Sequence, residues 1–374
     1  MIYYTIFLVA MFTAIVLIPP LTYIYNRFGL VDMPSARKVH TVPIPRVGGV
    51  AIVIASMIPI VGWTTLDKPL LGMLVAVCVL FVLGVIDDAK NLNYKSKFLV
   101  QIVSVSLIFI FGFIDINASY FATNQELLNT LLLVIYFVFV LGVTNAINLA
   151  DGLDGLAGGE ALLSFSIIGL LAYEISNITI VLMVLAVFGS VFGFLRFNTY
   201  PAKIFMGDTG SLFLGFILGV LSIGLTYGAD TAYAKTLPLL LVGLPIFDTV
   251  MVMIIRISKK RSPFNADRNH LHHRLLDNGY KHYQSVLIIY LLQSVYVLTA
   301  YYMRFDTDLN IVIAFLAISL LAFAISYSSK NSSNIIYNKG AVKQLFSNFG
   351  NKYIAKYANK LFALVAVTML TYVA

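Results

Sequence analysis

Long apolar runs, each close to the length of one membrane crossing, recur from one end of the chain to the other. A bilayer core takes about 20 apolar residues per spanning helix, and no long polar stretch separates these runs. Of the 374 residues, 60% are hydrophobic and only 11% are charged, which excludes a soluble domain with a polar surface. The sequence therefore predicts an all-α, polytopic membrane protein.

Eleven runs are predicted to cross the membrane. Their approximate ranges are 4–24, 48–63, 69–86, 98–115, 130–146, 160–173, 178–195, 211–228, 237–256, 285–302 and 310–327. The first run has no basic stretch before it and no small-residue cleavage site after it, so we expect a retained helix rather than a signal peptide. We expect one transmembrane domain at 1–328 and a basic tail at 329–374. The apolar segment 361–373 of that tail is too short to cross and is expected to lie on the membrane surface.

The basic residues orient these runs. Of the 25 Lys and Arg residues, 22 fall in the connecting segments of one side, and only Lys68, Lys235 and Arg304 fall on the other. Because cytoplasmic loops are rich in Lys and Arg, we expect the N-terminus outside and the C-terminus in the cytoplasm. The net charge of +8 thus reflects topology and anionic membrane lipid, at Lys259–Arg261 for example, rather than nucleic-acid binding.

Chemically capable residues concentrate on the cytoplasmic side. Asp87 and Asp88 end the third run at a helix C-terminus, where the macrodipole disfavours negative charge. A bound cation, or Lys97 ten residues after Asp87, would remove this penalty. The alternative is a pair of solvated acids at the membrane interface.

A second group follows the fifth run. Asn148, Asp151 and Asp154 are costly at the end of an apolar run unless they bind something. Asp151 and Asp154 are neighbours on one face if that turn is helical, and the glycines of 151–158 permit close approach of a ligand. The alternative is a polar helix cap followed by a glycine-rich turn.

The segment Gly207–Ser211 precedes the eighth run, so its free N–H groups face the cytoplasm and offer a favourable seat for phosphate. Alternatively, Asp208 or Thr209 is an ordinary N-cap, and Phe205 is an interface aromatic.

A histidine-rich loop completes the set. His270, His272 and His273, with Arg268 and Arg274, are donors suited to a pyrophosphate or to sugar hydroxyls. The same histidines could bind zinc, but the carboxylates expected nearby are hard oxygen ligands that suit Mg²⁺ or Mn²⁺ better. Together these groups describe metal-assisted phosphoryl transfer between a soluble nucleotide and a lipid.

Between about 34 and 285, the ordered motifs resemble the polyprenyl-phosphate N-acetylhexosamine-1-phosphate transferases of the glycosyltransferase family 4 type. They are Asp87-Asp88, Asn145-Ala-Ile-Asn-Leu-Ala-Asp-Gly-Leu-Asp-Gly155, Phe205-Met-Gly-Asp-Thr-Gly-Ser211 and His270-Leu-His-His273. The branch most similar is the bacterial one that uses UDP-N-acetylglucosamine. This resemblance implies an enzyme of the bacterial cytoplasmic (inner) membrane, with a UDP-N-acetylhexosamine donor, undecaprenyl phosphate as acceptor, Mg²⁺ as cofactor and a homodimer by family analogy.

The resemblance also implies a role for each matching residue. Asn148 and Asp208 would coordinate Mg²⁺, with Asp151 in support, and Asp87, Asp88 and Lys97 would sit at the lipid-phosphate end. Asp154 and Phe205 would hold the uracil, and the sugar-diphosphate pocket would be lined by Arg268, His270, His272 and His273. Lys38 and His40, with Arg37, match the first cytoplasmic loop of the family.

The implied reaction gives undecaprenyl-diphospho-N-acetylhexosamine and UMP, and would start O-antigen, common antigen or teichoic acid synthesis. Direct attack by the lipid phosphate is preferred to a phospho-sugar intermediate on an aspartate. The alternatives are a peptidoglycan-branch transferase that uses a UDP-muramyl peptide, a secondary transporter, and a CDP-alcohol phosphotransferase. The last lacks support, because the arginine and the later aspartates of its motif are missing.

Overall fold

A computed structural model of the chain describes residues 1–33, 42–114, 126–227, 231–262 and 269–328. The predicted site residues Lys38, His40 and Arg268, and the predicted tail 329–374, lie outside the described residues. The helices are α1 Ile2–Arg27, α2 Gly48–Trp63, α3 Lys68–Lys90, α4 Tyr94–Ile110, α5 Glu126–Ala150, α6 Leu156–Glu174, α7 Ile178–Asn198, α8 Gly207–Thr226, α9 Pro238–Leu241, α10 Gly243–Ser258, α11 Leu271–Asp277, α12 His282–Tyr302 and α13 Asp308–Ser328.

Two-residue strands are the only β-structure among the described residues. The strands β1 Val31–Asp32 and β2 Ile44–Pro45 pair antiparallel, with Val31 opposite Pro45 and Asp32 opposite Ile44. An ion pair between Arg46 and the buried Asp32 reinforces this pairing. Strand β2 directly precedes α2, so the pairing positions the start of that helix. The fold class remains all-α.

Eight helices in the described part of the chain are long and apolar enough to cross a membrane, namely α1, α3, α5, α6, α7, α8, α12 and α13. The prediction of an all-α, multi-pass membrane protein is therefore confirmed. The three other predicted runs are shorter helices: 48–63 is α2, with 16 residues, 98–115 lies mostly in α4, with 17 residues, and 237–256 is divided between α9 and α10.

The division of the run 237–256 has a local cause. The chain breaks between α9 and α10 at Val242, and a Cβ on Gly243 would overlap the ring of Tyr296. The buried Gln293 of α12 satisfies the backbone groups freed by the break: its Oε1 accepts from Leu244 N–H at 3.2 Å and its Nε2 donates to Leu241 O at 3.2 Å. A broken helix is tolerated at membrane depth when a neighbour replaces its lost hydrogen bonds in this way.

Helix α8 is the centre of the bundle, and nearly all of its side chains are buried. It packs against α2, α3, α5 and α6. Small residues allow close approaches to α8: a Cβ on Gly84 of α3 would overlap the backbone of Thr209, and one on Gly215 would lie 2.7 Å from Thr144 Cα of α5. Packing through small residues is the usual way in which membrane helices associate.

The helix ends fall into two opposite groups because successive helices run in opposite directions when the shorter α2 and α4 and the α9–α10 pair are counted among them. The C-terminal ends of α3, α5 and α7 and the N-terminal ends of α4, α6, α8 and α12 meet at one end. At the other end, Arg304 Nε pairs with Glu174 Oε2 at 2.9 Å, and Thr236 N–H donates to Asp308 Oδ1 at 2.8 Å. The first end contains every described residue that the sequence proposed for a site.

Candidate active site

Lys97 joins two carboxylates that come from different helices. Its Nζ lies 2.6 Å from Asp208 Oδ2 at the start of α8 and forms a second ion pair with Asp87 Oδ2 near the end of α3. Asp87 is 1% exposed, and its other oxygen accepts from Leu92 N–H at 2.7 Å. Asp208 is 32% exposed. The proximity of Lys97 to Asp87 was predicted, and Asp208 is the carboxylate that remains accessible to a ligand.

Asp88 caps helix α8. Its Oδ1 accepts from Asp208 N–H at 2.8 Å, and its Oδ2 accepts from Thr209 N–H at 3.1 Å and from Thr209 Oγ1 at 2.6 Å. Gly207 has φ +70°, and a Cβ there would lie 2.6 Å from Asp88 Oδ2. The prediction that this N-terminus is a free seat for phosphate is therefore wrong, because a carboxylate already neutralises it. Neither Asp208 nor Thr209 is the N-cap; that residue is Met206.

Asn148 connects α5 to the same point. Its Nδ2 donates to Asp208 Oδ1 at 3.2 Å and to Ser211 Oγ at 2.8 Å. The amide therefore sits on the second oxygen of Asp208, opposite to Lys97.

An amide pair supports Lys97 and Asn148; the sequence reasoning missed its buried member, Gln101, and gave its other member, Asn145, no role. Asn145 Nδ2 donates to Gln101 Oε1 at 2.7 Å, which ties α5 to α4. Gln101 lies one turn after Lys97, and Asn145 lies three residues before Asn148, so this bond fixes the spacing between the ammonium and the amide. A polar residue within an apolar run was the available signal.

The loop after α5 is not helical, so Asp151 and Asp154 do not share a helix face as the sequence suggested. Asp154 Oδ2 accepts from Ala202 N–H at 3.0 Å, and Asp154 N–H donates to His282 Nε2 at 3.1 Å. The carboxylate of Asp154 thus joins two loops. Phe205 is half-buried, and its backbone bonds to Pro45 O and Gly48 N, both at 2.9 Å, place it beside α2.

Asp151 has a strongly perturbed carboxyl. Burial, followed by the negative charges of Asp208, Asp88 and Asp154, raises its pKa to about 7, whereas Arg46 opposes the increase. Arg46 is a further residue to which the sequence reasoning gave no role. It lies within electrostatic range of Asp88 and Asp208 as well, although its guanidinium is paired with Asp32.

The three histidines lie together at α11. The rings of His270 and His272 are stacked with centroids 6.0 Å apart, and those of His272 and His273 are 4.2 Å apart. A Cβ on Gly152 would overlap the His272 ring, so this glycine makes room for a histidine rather than for a ligand. The predicted histidine-rich loop is thus largely the helix α11, and the segment 269–277, called the histidine loop below, contacts the loop of Asp151 through His272.

The donor set fits Mg²⁺ bound together with a phosphate ligand. Among the described residues, no three or more His, Cys, Asp or Glu side chains are grouped so that they could hold a metal. The three histidines therefore do not form a zinc site by themselves. Mg²⁺, however, commonly takes only one or two protein oxygens and completes its octahedron with phosphate oxygens and water. The partly exposed Asp208 carboxylate and the adjacent Asn148 amide supply that number of hard donors.

Fold and site together define a multi-pass membrane protein that gathers acids, amides and one lysine for phosphate chemistry at one end of its bundle. The model of the family described as glycosyl transferase family 4 matches residues 70–226. This range includes Asp87, Lys97, Asn148 and Asp208, which are the residues in mutual contact.

Curated relatives extend the match over most of the chain. A probable undecaprenyl-phosphate N-acetylglucosaminyl 1-phosphate transferase of Bacillus subtilis is 37% identical, over 83% of this chain and 88% of that protein. A decaprenyl-phosphate N-acetylglucosaminephosphotransferase of Mycolicibacterium smegmatis is 34% identical, over 71% and 73%. A phospho-N-acetylmuramoyl-pentapeptide-transferase of Wolbachia pipientis is 35% identical, over 51% and 63%. The chain belongs to glycosyl transferase family 4.

The raised pKa of Asp151 predicts a stability that depends on pH. Because the pKa of about 7 in the folded protein exceeds the ordinary value of 3.8, the ionised carboxylate opposes folding, increasingly as the pH rises towards 7 and fully above it. Asp151→Asn removes this opposition. In buffer with EDTA, we expect the variant to unfold several degrees above the wild type at about pH 8, and by a smaller margin at about pH 5.

Asp306→Asn is the control for this measurement. Asp306 is exposed at the opposite end, and hydrogen bonds from Asn310 and Thr307 lower its pKa, so its replacement should give no gain at about pH 8. An Asp151→Asn margin that is absent, or equal at both pH values, would contradict the electrostatic interpretation.

Proposed function

We propose that this protein transfers N-acetylhexosamine 1-phosphate, and specifically N-acetylglucosamine 1-phosphate, from a UDP-sugar to undecaprenyl phosphate and releases UMP. The single observation that carries the proposal is the meeting of Asp87, Lys97, Asn148 and Asp208 at the ends of α3, α4, α5 and α8. The Bacillus subtilis relative, whose name states this acceptor and this sugar phosphate, supports the choice of substrates.

We place the site on the cytoplasmic face of the bacterial inner membrane. Helices α2 and α4 and the α9–α10 pair would add three crossings to the eight long helices, giving eleven. The end of the bundle that contains the site corresponds to the side to which the sequence pattern assigns 22 of the 25 basic residues. A soluble UDP-sugar and a lipid phosphate can meet there.

Asp208 and Asn148 are the residues that would hold Mg²⁺, and when bound the ion would neutralise charge on the diphosphate. Lys97 would add a fixed positive charge on the other side of Asp208, towards the phosphate of the acceptor. Asp87 would keep Lys97 in place, because both oxygens of this buried carboxylate are engaged. Asp88 would act through α8, whose first amides it binds.

These engagements favour direct attack by the lipid phosphate. An oxygen of the acceptor would attack the sugar-side phosphorus, the bond from that phosphorus to the bridging oxygen would break, and UMP would leave with the bond's electron pair. A phosphate monoester has its second pKa at about 6 and is already largely ionised, so it needs positioning more than a strong base. A covalent intermediate would need a free aspartate nucleophile, and the oxygens of Asp87 and Asp88 are already hydrogen-bonded or ion-paired.

The donor would lie alongside the loop of Asp151 and the histidine loop, where the two contact each other. Asp154 and the half-buried Phe205 would hold the uracil, and His270, His272 and His273 would line the sugar and the diphosphate. The contact between Gly152 and His272 supports this arrangement because it brings the two loops together. The product would start a cell-surface glycan such as O-antigen, common antigen or teichoic acid.

The peptidoglycan-branch reaction, with a UDP-muramyl peptide as donor, is the second candidate. The Wolbachia relative favours it, but that similarity covers only 51% of this chain, against 83% for the Bacillus relative. A transporter is disfavoured, because the acids gather at helix ends rather than near the middle of the spans.

A radiolabel assay tests the reaction. Purified protein is supplied with undecaprenyl phosphate, Mg²⁺ and, in turn, labelled UDP-N-acetylglucosamine, UDP-N-acetylgalactosamine or UDP-N-acetylmuramoyl pentapeptide. We expect lipid-linked label from UDP-N-acetylglucosamine. For Asp208→Asn we expect the rate to fall by at least about 100-fold, since an essential electrostatic contact is lost. Asp306→Asn, at the opposite end, should match the wild type.

The possible outcomes of this assay are distinct. Lipid-linked product from none of the donors would refute the proposed function. Product only from the muramyl peptide would transfer the assignment to the second candidate. Equal rates for the wild type and Asp208→Asn would remove Asp208 from the site.

Labelling of single cysteines tests the orientation. Cys78, the only cysteine in the sequence, is first replaced by alanine. The exposed Lys203, at the end with the site, and the exposed Asp306, at the other end, are then changed one at a time to cysteine. With a membrane-impermeant maleimide, Asp306→Cys should be labelled in intact cells, and Lys203→Cys only after lysis. The reverse pattern would contradict the cytoplasmic placement.

A further inference from the structure

Asp248 is a charged residue within α10 for which the reaction proposed above gives no role. Its Oδ2 lies 2.7 Å from His270 Nδ1, and its Oδ1 accepts from Leu271 N–H at 2.8 Å. The carboxylate is 15% exposed and the His270 side chain 6%. One side chain of α10 therefore contacts both the ring and the backbone at the start of the histidine loop.

The contact fixes the position of a proton on His270. A carboxylate only accepts hydrogen bonds, so Nδ1 of His270 must carry the hydrogen in this pair. Nε2 is then the ring atom left for another partner. It is buried and makes no hydrogen bond within the described part of the chain. A buried ring nitrogen without a partner is costly, and a bound substrate group would remove that cost.

The surroundings of Asp248 explain why it needs both donors. A small cavity below the histidine loop is lined by Glu160 of α6, Asp248 and His272, and otherwise by apolar side chains. A buried polar group in such surroundings is costly unless it is hydrogen-bonded. The ring N–H of His270 and the N–H of Leu271 bond the two oxygens of Asp248, and in return Asp248 locks the ring and the start of α11.

We propose that Asp248 is a positioning residue that holds His270 with Nδ1 protonated, so that Nε2 is presented to the sugar-diphosphate donor. The stacked His272 ring, which lies against Gly152, links this orientation to the loop of Asp151. The assignment of the donor rests on the proposed function, whereas the protonation of the ring does not. In metal sites, removal of a partner that orients a histidine through its other nitrogen typically costs 10–100-fold in affinity or activity, and we expect an effect of the same order here.

Asp248→Asn separates this role from a merely structural one. The asparagine Oδ1 can still accept from Leu271 N–H, but its Nδ2 would donate to His270 Nδ1 and force the ring hydrogen onto Nε2. We expect kcat/KM for the UDP-sugar to fall about 30-fold, with a thermal midpoint close to that of the wild type. In a His270→Gln background, the same change should have little further effect, because the interaction it alters is already absent.

The ring can be observed without any activity. Nitrogen NMR of the protein labelled with ¹⁵N-histidine, in bilayers, should show Nδ1 of His270 protonated in the wild type and unprotonated in Asp248→Asn. The signal is assigned by its loss in His270→Gln. The matched control is Asp308→Asn, which alters another carboxylate that accepts from a backbone amide, at the far end of the bundle. It should leave both kcat/KM and the ring signal unchanged.

A His270 signal that is the same in the wild type and Asp248→Asn would overturn the proposal. So would a kcat/KM for Asp248→Asn within about twofold of an active wild type, or an equal loss in the His270→Gln background. A wild type that forms no lipid-linked product refutes the transferase function instead. In that case the NMR result still decides whether Asp248 determines which ring nitrogen of His270 carries the hydrogen.

Discussion

The ion pairs of Lys97 with Asp87 and Asp208 are the interactions on which the rest of this site depends. They bring the ends of α3, α4 and α8 to one point, and Asn148 adds α5 through the second oxygen of Asp208. Two carboxylates this close repel each other unless a cation lies between them. Without Lys97, the buried Asp87 would carry an uncompensated charge, which costs more than a typical surface ion pair contributes.

Around this centre, the side chains divide into those that hold the site and those that remain open to a ligand. Asp87 and Asp88 belong to the first group, since one fixes Lys97 and the other binds the first amides of α8. Asp208 is partly exposed, and Asp151 is kept at a raised pKa by burial and by its acidic neighbours. A phosphate-bound divalent cation would relieve the charge of this second group, which is why an acid-rich site suits a diphosphate substrate.

Much of this arrangement could be predicted from the sequence. The lengths of the apolar runs predicted the long helices, and their order brought Asp87, Lys97, Asn148 and Asp208 to the same end. Hydropathy does not reveal partners that are distant in sequence, so it missed the bond between Asp88 and the amide of Asp208, 120 residues away. The break at Val242 also escaped it, because Gln293 repairs that break from another helix. The sequence reasoning also overlooked Asp248 and Gln101, which are polar residues inside runs that were predicted to cross the membrane.

The most direct test of the central ion pairs is the thermal unfolding midpoint of the wild type and Lys97→Gln, measured with EDTA and with Mg²⁺. We predict that the variant unfolds several degrees lower in EDTA, because Asp87 and Asp208 then face each other without a cation. Mg²⁺ should restore most of this loss, and Asp208→Asn should respond little to Mg²⁺. A Lys97→Gln protein with the midpoint of the wild type in both buffers would contradict the role assigned to Lys97.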